Sequence, residues 1–407
     1  MQAKTPLTIG IDASRAFVDD PAGPEYYSLH LIENIAKIDT FNNYKLYVKV
    51  GQSPNHALPR NFQVIQVRLP RLWTQVGLAL ETLLRPPDVL FVPAHTLPLI
   101  TKMLLPHMPI LVTVHGLEGK FLPQSGNSLA HIYRNWSIGW AVKFSDRLIA
   151  VSEDTKRDVL NTYNISPNKI KVIHEGVDLM YFVADKYSSS KAEACSIVDK
   201  FGISKDYILF VGTVQPRKNL VRLIEAFSLL TNRDSIGSGC GRLIGQRKPK
   251  LGARYRDDLE LVITGKLGWM YEDVLAAPHR FGVESRVKFI GRVSDAELLE
   301  LYSEARVFVL PSVTEGFGLP ILEAQASGIP VVASNSGAIP EVAGNGALLV
   351  NPLSVKEISQ ALEKVLTDDK LRTKLIAKGR ENVRLYSWTT AADSTIKMLR
   401  GMLVNKS

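Results

Sequence analysis

The chain has 407 residues, which at roughly 150 per domain implies two or three domains. Hydrophobic residues make up 45% and charged residues 22%, with a mean hydropathy of +0.02; this excludes disordered and collagen-like chains. Two cysteines, Cys195 and Cys240, are too few for a disulfide framework, a zinc finger or a Cys-ligated cluster. The net charge of +9 and pI near 9.3 suit nucleic acid, an anionic membrane surface or phosphorylated ligands.

In chain order, MQAKTPLTIGID enters a strand-like run without the apolar core of a signal peptide, so a cytoplasmic protein is expected. Leu7–Asp12 is predicted as a strand, and Glu25–Ile38 as an amphipathic helix with Leu29, Ile32 and Ile35 on its apolar face. Short β-branched runs follow at Tyr44–Val50, Val64–Val67, Val89–Val92, Ile110–His115 and Arg147–Ser152. The most apolar stretch, Leu97–Val114, is broken by Lys102, His107, Pro98, Pro106 and Pro109, so no membrane span is expected.

A polar linker lies at Asp185–Lys191, and a second series follows. Strands are predicted at Tyr207–Val211, Leu259–Thr264, Val287–Ile290, Val307–Leu310 and Pro330–Ala333. Helices are predicted at Leu220–Leu230, Asp295–Ser303 and Leu319–Ser327. Val355–Leu403 reads as helical, with a break at Tyr386–Trp388. Between the first strands, the stretch Arg233–Arg256 carries Arg242, Arg247, Lys248, Lys250 and Arg254 among Gly and Ser. It reads as a solvated loop, without the interleaved aromatics of a single-strand-binding surface.

Strands alternating with helices predict parallel sheets covered on both faces. The fold class is therefore α/β, with two doubly wound, Rossmann-like domains at residues 1–185 and 192–385. A helix at residues 386–407 follows the second. Ligands of such sheets bind at the carboxyl ends of the strands, here expected in a cleft between the domains.

The segment Val307–Ser334 reads as strand, glycine loop, helix, strand. Pro320 suits the first helical turn, and Gly328 the position just past the helix end. Gly316 and Gly318 expose backbone N–H groups beside the positive end of that helix, which favours an anion. A phosphate would repel Glu315 and Glu323, so both read better as acceptors for hydroxyls flanking a diphosphate. Taken alone, Glu323 would equally serve the helix dipole and Glu315 a solvated loop. The second segment, Leu209–Leu220, ends a strand in a loop with Arg217 and Lys218, a fork and a point charge fitted to a diphosphate.

These two segments resemble those of the retaining glycosyltransferases of family 4, which have the GT-B architecture. The resemblance includes the E-x7-E element from Glu315 to Glu323 and the run GTVQPRKNL. It extends to Val262–Lys266, Phe289–Val293 and Gly337–Val342, with weaker similarity at Val112–His115, Ile149–Ser152 and Val172–Asp178. It implies that Arg217 and Lys218 bind the diphosphate and that Glu315 holds donor-sugar hydroxyls. The backbone of Gly316, Phe317, Gly318 and Leu319 would contact sugar and phosphates, and Glu323 the ribose. Gly265 and Lys266 would lie beside the nucleoside, and Val293 near the base. His115 would face donor sugar and acceptor, and Gly23 would form a turn over the diphosphate. Domain 1–185 would hold the acceptor, domain 192–385 the donor, and helix 386–407 would pack back on the first.

Thr213 stands where many members have a second phosphate-binding arginine, and Pro24 where a flexible residue is common. The basic stretch near 233–258 lies outside the usual pattern. Without the resemblance, His115 and His174 would read as satisfied rim or core residues.

The implied activity is transfer of a hexose from a nucleoside-diphosphate sugar to a glycan or lipid-linked acceptor, in cell-envelope or extracellular polysaccharide synthesis. UDP-glucose is preferred to GDP-mannose as donor. No cofactor and no metal are expected, since no D-x-D-type pair lies near a donor site and the cations supply the charge. No nucleic-acid partner is expected. Arg71, Trp73, Arg85, Arg134, Trp136 and Trp140 suit a lipid-linked acceptor at an anionic membrane, although core positions would equally suit the tryptophans. Rival readings are a nucleotide-sugar epimerase or phosphorylase on the same fold, and a non-catalytic nucleic-acid-binding module.

Overall fold

The computed structural model describes residues 5–54, 56–69, 73–117, 129–178, 181, 197–203, 206–231 and 258–404. Both cysteines, the linker at 185–191, the basic stretch 233–256, the loop 118–127 and Arg71 lie outside the described residues. The chain forms two units, Met1–Gly176 with Tyr386–Ser407, and Val177–Leu385.

The first unit holds a seven-stranded sheet. Its strands are β1 (Thr8–Asp12), β2 (Asn43–Lys49), β3 (Phe62–Val67), β4 (Val89–Val92), β5 (Ile110–Val114), β6 (Arg147–Ala150) and β7 (Ile170–Val172). They lie in the order β3-β2-β1-β4-β5-β6-β7, and every pair is parallel. β4 and β5 are buried along their whole length, which is why they read as unbroken apolar runs rather than alternating ones.

The second unit holds a six-stranded parallel sheet of β8 (Tyr207–Val211), β9 (Glu260–Thr264), β10 (Val287–Gly291), β11 (Val307–Leu310), β12 (Val331–Ser334) and β13 (Ala347–Val350). The order is β10-β9-β8-β11-β12-β13. In each sheet the winding reverses beside the first strand, between β1 and β4 and between β8 and β11. The carboxyl ends at such a reversal leave a crevice in which doubly wound sheets bind ligands.

The predicted helices form where local chemistry starts and stops them. Ser294 caps Asp295–Glu304 through a reciprocal pair with Glu297. Gly328, at φ +74°, follows the end of Leu319–Ala326. The C-terminal run has a break the periodicity did not show: Val355–Thr367 and Asp369–Val383 are separate helices. Asp368 divides them, its carboxylate accepting from the Leu371 N–H at 3.0 Å. β7, β13 and a π-helical turn at Trp73–Leu78 are also additions to the sequence reading.

The last helix, Trp388–Val404, packs along Gly23–Ile38 within the first unit. Gly176 is required at this seam, because a Cβ there would lie 2.1 Å from the Trp388 backbone nitrogen. Among the described residues no helix is long and apolar enough to cross a membrane.

Candidate functional site

In the second unit the residues singled out from the sequence gather at the exits of β8 and β11. β8 runs into a glycine and then a 3₁₀ turn, Pro216–Lys218. The turn ends at Asn219, which adopts a left-handed φ of +63°. The Asn219 side-chain amide donates to the carbonyls of Pro311 at 3.0 Å and Pro352 at 2.6 Å, tying the β8 loop to the β11 exit. The Val313 N–H donates to the Arg217 carbonyl at 2.9 Å. The two loops are thereby stitched together, and their side chains meet.

Glu315 is the hub. Its Oε1 accepts from Lys218 Nζ at 2.5 Å and from Ser312 Oγ at 2.6 Å, and its Oε2 from Arg217 at 2.5 Å. Lys218, Ser312 and Glu315 are buried. Burial opposes ionisation of Glu315, but the Arg217 and Lys218 cations and the hydrogen bonds from Lys218 and Ser312 outweigh it, holding the carboxyl at about 2. Two cations thus face one carboxylate within the cluster.

The glycine loop follows at once. Phe317 is buried, and Gly318 takes a φ of +110° at the head of Leu319–Ala326 with no side chain capping it. Pro320 has no N–H to satisfy and the Ile321 N–H donates to the Gly318 carbonyl at 2.9 Å, so the positive end of the helix opens on glycine beside Glu315. Glu323, in the same helix, accepts a hydrogen bond from the Tyr302 hydroxyl at 2.8 Å. Tyr302 is fully buried, and burial together with the Glu323 charge pushes its ionisation far above the ordinary range. It stays a donor at any working pH.

The neighbouring loop is fixed by backbone contact. Gly265 has φ +136°, and a Cβ there would lie 2.2 Å from the Gly212 carbonyl oxygen. Val214 N–H donates to the Lys266 carbonyl at 2.9 Å, which sets Gly265 and Lys266 against the loop that carries Arg217 and Lys218. Val293 stands half-buried just past the end of β10, on the far side of β9 from β8.

His115 and Gly23 belong to the first unit. His115 follows β5; its Nε2 lies 2.9 Å from the Pro93 carbonyl at the β4 exit, and its Nδ1 3.6 Å from Glu175. The Tyr27 ring meets it edge-on at 4.7 Å. Gly23 opens the helix Gly23–Ile38 without a left-handed φ and with open space where a Cβ would stand. Glu25 braces that turn, accepting from the Ala22 N–H at 3.3 Å and pairing with Arg15 at 2.8 Å. His174 packs edge-on against Tyr386 at 5.5 Å. Trp73 is core, Trp140 half-buried, and Trp136 and Arg85 exposed.

Three residues that the sequence reading passed over complete these clusters: Ser312, Tyr302 and Glu175. Ser312 carried a signal, standing three positions before Glu315 on the same loop. Tyr302 and Glu175 reach Glu323 and His115 from other elements, and no local pattern marks them. Among the described residues, no group of three or more His, Cys, Asp or Glu side chains is placed to hold a metal ion.

Two family descriptions match the chain in tandem, Glycosyltransferase Family 4 over residues 40–181 and Glycosyl transferases group 1 over residues 197–382. The chain belongs to glycosyltransferase family 4. The site residues Arg217, Lys218, Glu315 and Glu323 all fall within the second of these matches. A family relative, O-antigen chain mannosyltransferase B of Escherichia coli, is 29% identical over 265 residues, which cover 65% of this chain and 63% of that protein. The match thus spans under two thirds of the relative's own length.

Two solved structures share the fold. Sucrose-phosphate synthase from Thermosynechococcus elongatus is 18% identical with a TM-score of 0.74, covering 99% of this chain and 100% of its own. HepE of Anabaena, in complex with UDP and glucose, is 15% identical with a TM-score of 0.69, covering 97% and 100%. Both are likenesses of fold, the GT-B pairing of two Rossmann-like domains.

Proposed function

We propose that the protein transfers a hexosyl group from a nucleoside-diphosphate sugar to a glycan or lipid-linked acceptor, with retention of configuration. The observation that carries this reading is the Arg217–Glu315–Lys218 cluster, which brings two cations and a carboxylate together at the β8 and β11 exits. It stands beside the uncapped glycine turn that opens Leu319–Ala326.

In glycosyl transfer the leaving diphosphate gains negative charge as the glycosidic bond breaks. Fixed cations and helix N–H groups aimed at it lower that barrier. Arg217 and Lys218 take this role, without a separate metal. Glu315 holds sugar hydroxyls, Gly316–Leu319 contact sugar and phosphates, and Glu323 holds the ribose. Gly265, Lys266 and Val293 border the nucleoside, and Gly23 and His115 serve the donor from the first domain. Retention follows if the acceptor hydroxyl attacks from the leaving-group face and a donor phosphate oxygen takes its proton. Residues 1–185 hold the acceptor, 192–385 the donor, and 386–407 close the first domain.

The donor reading is UDP-glucose, supported by the binding of UDP and glucose to a fold relative. A GDP-mannose donor is the second reading, supported by the name of the O-antigen relative. That name also supports a place in cell-envelope polysaccharide synthesis. The test is a thermal-shift series with UDP, GDP, ADP and their sugars, with and without EDTA. A ligand at 100 times its Kd adds about 2.7 kcal/mol. One nucleotide should raise the melting point selectively, regardless of EDTA, and Lys218→Ala should abolish the rise. A response to no nucleotide, or one unchanged in Lys218→Ala, refutes the assignment.

A further inference from the structure

Among the described residues of the first unit three acids are buried, Asp12, Asp39 and Glu175. A buried carboxylate is costly unless hydrogen bonds or a cation compensate it. Two of the three are compensated within their own turns. Asp12 accepts from the Ser14 N–H at 3.1 Å and the Ser14 hydroxyl at 2.7 Å. Asp39 accepts from the Phe41 N–H at 2.8 Å and the Tyr44 hydroxyl at 2.6 Å. Glu175 instead faces a side chain from another strand exit, the Nδ1 of His115 at 3.6 Å.

The backbone that carries Glu175 is fixed on both sides. His174 packs edge-on against Tyr386 at 5.5 Å, and a Cβ on Gly176 would come within 2.1 Å of the Trp388 nitrogen. His115 is held from three directions. Its Nε2 lies 2.9 Å from the Pro93 carbonyl, its Nδ1 faces Glu175, and the Tyr27 ring meets it edge-on at 4.7 Å. Tyr27 is itself anchored, its hydroxyl 3.2 Å from the Thr113 hydroxyl on β5. Burial, joined by the Glu175 charge, raises the Tyr27 ionisation well above its ordinary range, so Tyr27 stays neutral and leaves Glu175 to His115.

Both ring nitrogens of His115 thus point at oxygens that accept, a carbonyl and a carboxylate. A hydrogen on Nε2 serves the carbonyl, and the carboxylate then governs what Nδ1 holds and how far the ring can turn. The side chain keeps 12% of its surface accessible, so the ring reaches the β5 exit in one fixed attitude.

We propose that Glu175 is a positioning residue for the transfer reaction: it sets the orientation of His115 and the hydrogen at its Nδ1, and acts on the substrate only through that ring. This rests on the proposed hexosyl transfer, in which His115 serves the donor. The contact itself needs no nucleotide, so it can be tested apart from that reading.

The experiment uses the full chain with nitrogen-15-labelled histidine, as wild type, Glu175→Gln, His115→Asn and the double variant. The His115 ring signals, identified by their loss in His115→Asn, should shift in Glu175→Gln, while those of His279 in the second unit stay. Carboxylates behind metal-bound histidines are worth about 10–100-fold. On that scale Glu175→Gln should lower kcat about 10-fold, with donor KM within about 2-fold. In the His115→Asn background the same change should cost nothing further, whereas a merely structural role would cost the same in both. Glu175→Asp repeats the cycle if a circular-dichroism melt shows that Glu175→Gln does not fold. Unshifted His115 signals, an undiminished kcat, or an equal loss in both backgrounds would overturn the proposal. If no donor is turned over, the proposed function fails, and the ring signals still decide whether Glu175 holds His115.

Discussion

Replacing Glu315 by Gln tests the electrostatic core of the site. Glu315 is the counter-charge of Arg217 and Lys218, and its ionisation is held at about 2 against an ordinary 4.5. A depression of that size is worth about 3 kcal/mol of stability at neutral pH. Breaking a buried pair by removing one partner costs about 3–5 kcal/mol, so the two routes agree. For a unit the size of Val177–Leu385 this lowers the melting point by about 6–12 °C. The same substitution leaves both cations without that carboxylate, so a nucleoside diphosphate should recover more stability in the variant than in the wild type. Transfer should fall at least ~100-fold, since the sugar loses its acceptor and the site its geometry. Differential scanning calorimetry with and without UDP or GDP reads the first two effects, and donor turnover reads the third. A variant within about 1 kcal/mol of the wild type without nucleotide would refute the ion-pair account.

The pH dependence has a defined sign. Because the folded-state ionisation of Glu315 is lowered, its contribution is complete above 4.5 and is lost as pH falls toward 2; the stability gap between wild type and Glu315→Gln should close across that window in acid titrations. Tyr302→Phe removes the hydrogen bond to Glu323 and should erase a preference for ribose over 2′- and 3′-deoxyribose nucleotides, raising donor KM with little change in kcat; equal discrimination by both proteins would show that Tyr302 only packs. Gly265→Ala forces a Cβ to within 2.2 Å of the Gly212 carbonyl and should cost at least ~2 kcal/mol while weakening nucleotide binding, both read by thermal shift.

Much of this architecture was legible because parallel sheets have a loud signature. β4, β8 and β11 are short apolar runs set between helical patterns, and their positions were readable to the residue. Gly318, Pro320 and Gly328 likewise announced a helix start and stop, since each has a local conformational reason. The sequence was silent on pairing across elements. It suggested cations for a diphosphate and a carboxylate for a sugar, but not that these groups hold each other. Tyr302 lies 21 residues from Glu323 and carries no spacing rule that links them. The break at Asp368 was hidden because the apolar period runs through it, and only its side-chain cap reveals a new helix. Glycines mislead in the other direction: Gly23 sits in a helical turn with room for a side chain, whereas Gly176 has none, and nothing adjacent in the sequence says so.

The closing of the first unit by Trp388–Val404 has a consequence for synthesis. Residues up to Gly176 leave the ribosome before the second unit, yet the helix that covers Tyr27 and His30 follows that unit; the Trp388 ring lies 5.8 Å from Tyr27 and 5.4 Å from His30. At about 5–20 residues per second, making the intervening second unit takes roughly 10–40 s. Throughout that interval the nascent first unit lacks one wall, with aromatic surface open to chaperones or to misassembly. The unit made second is thus the first that can be finished, and a pause in translation before Trp388 would prolong the exposure of the other.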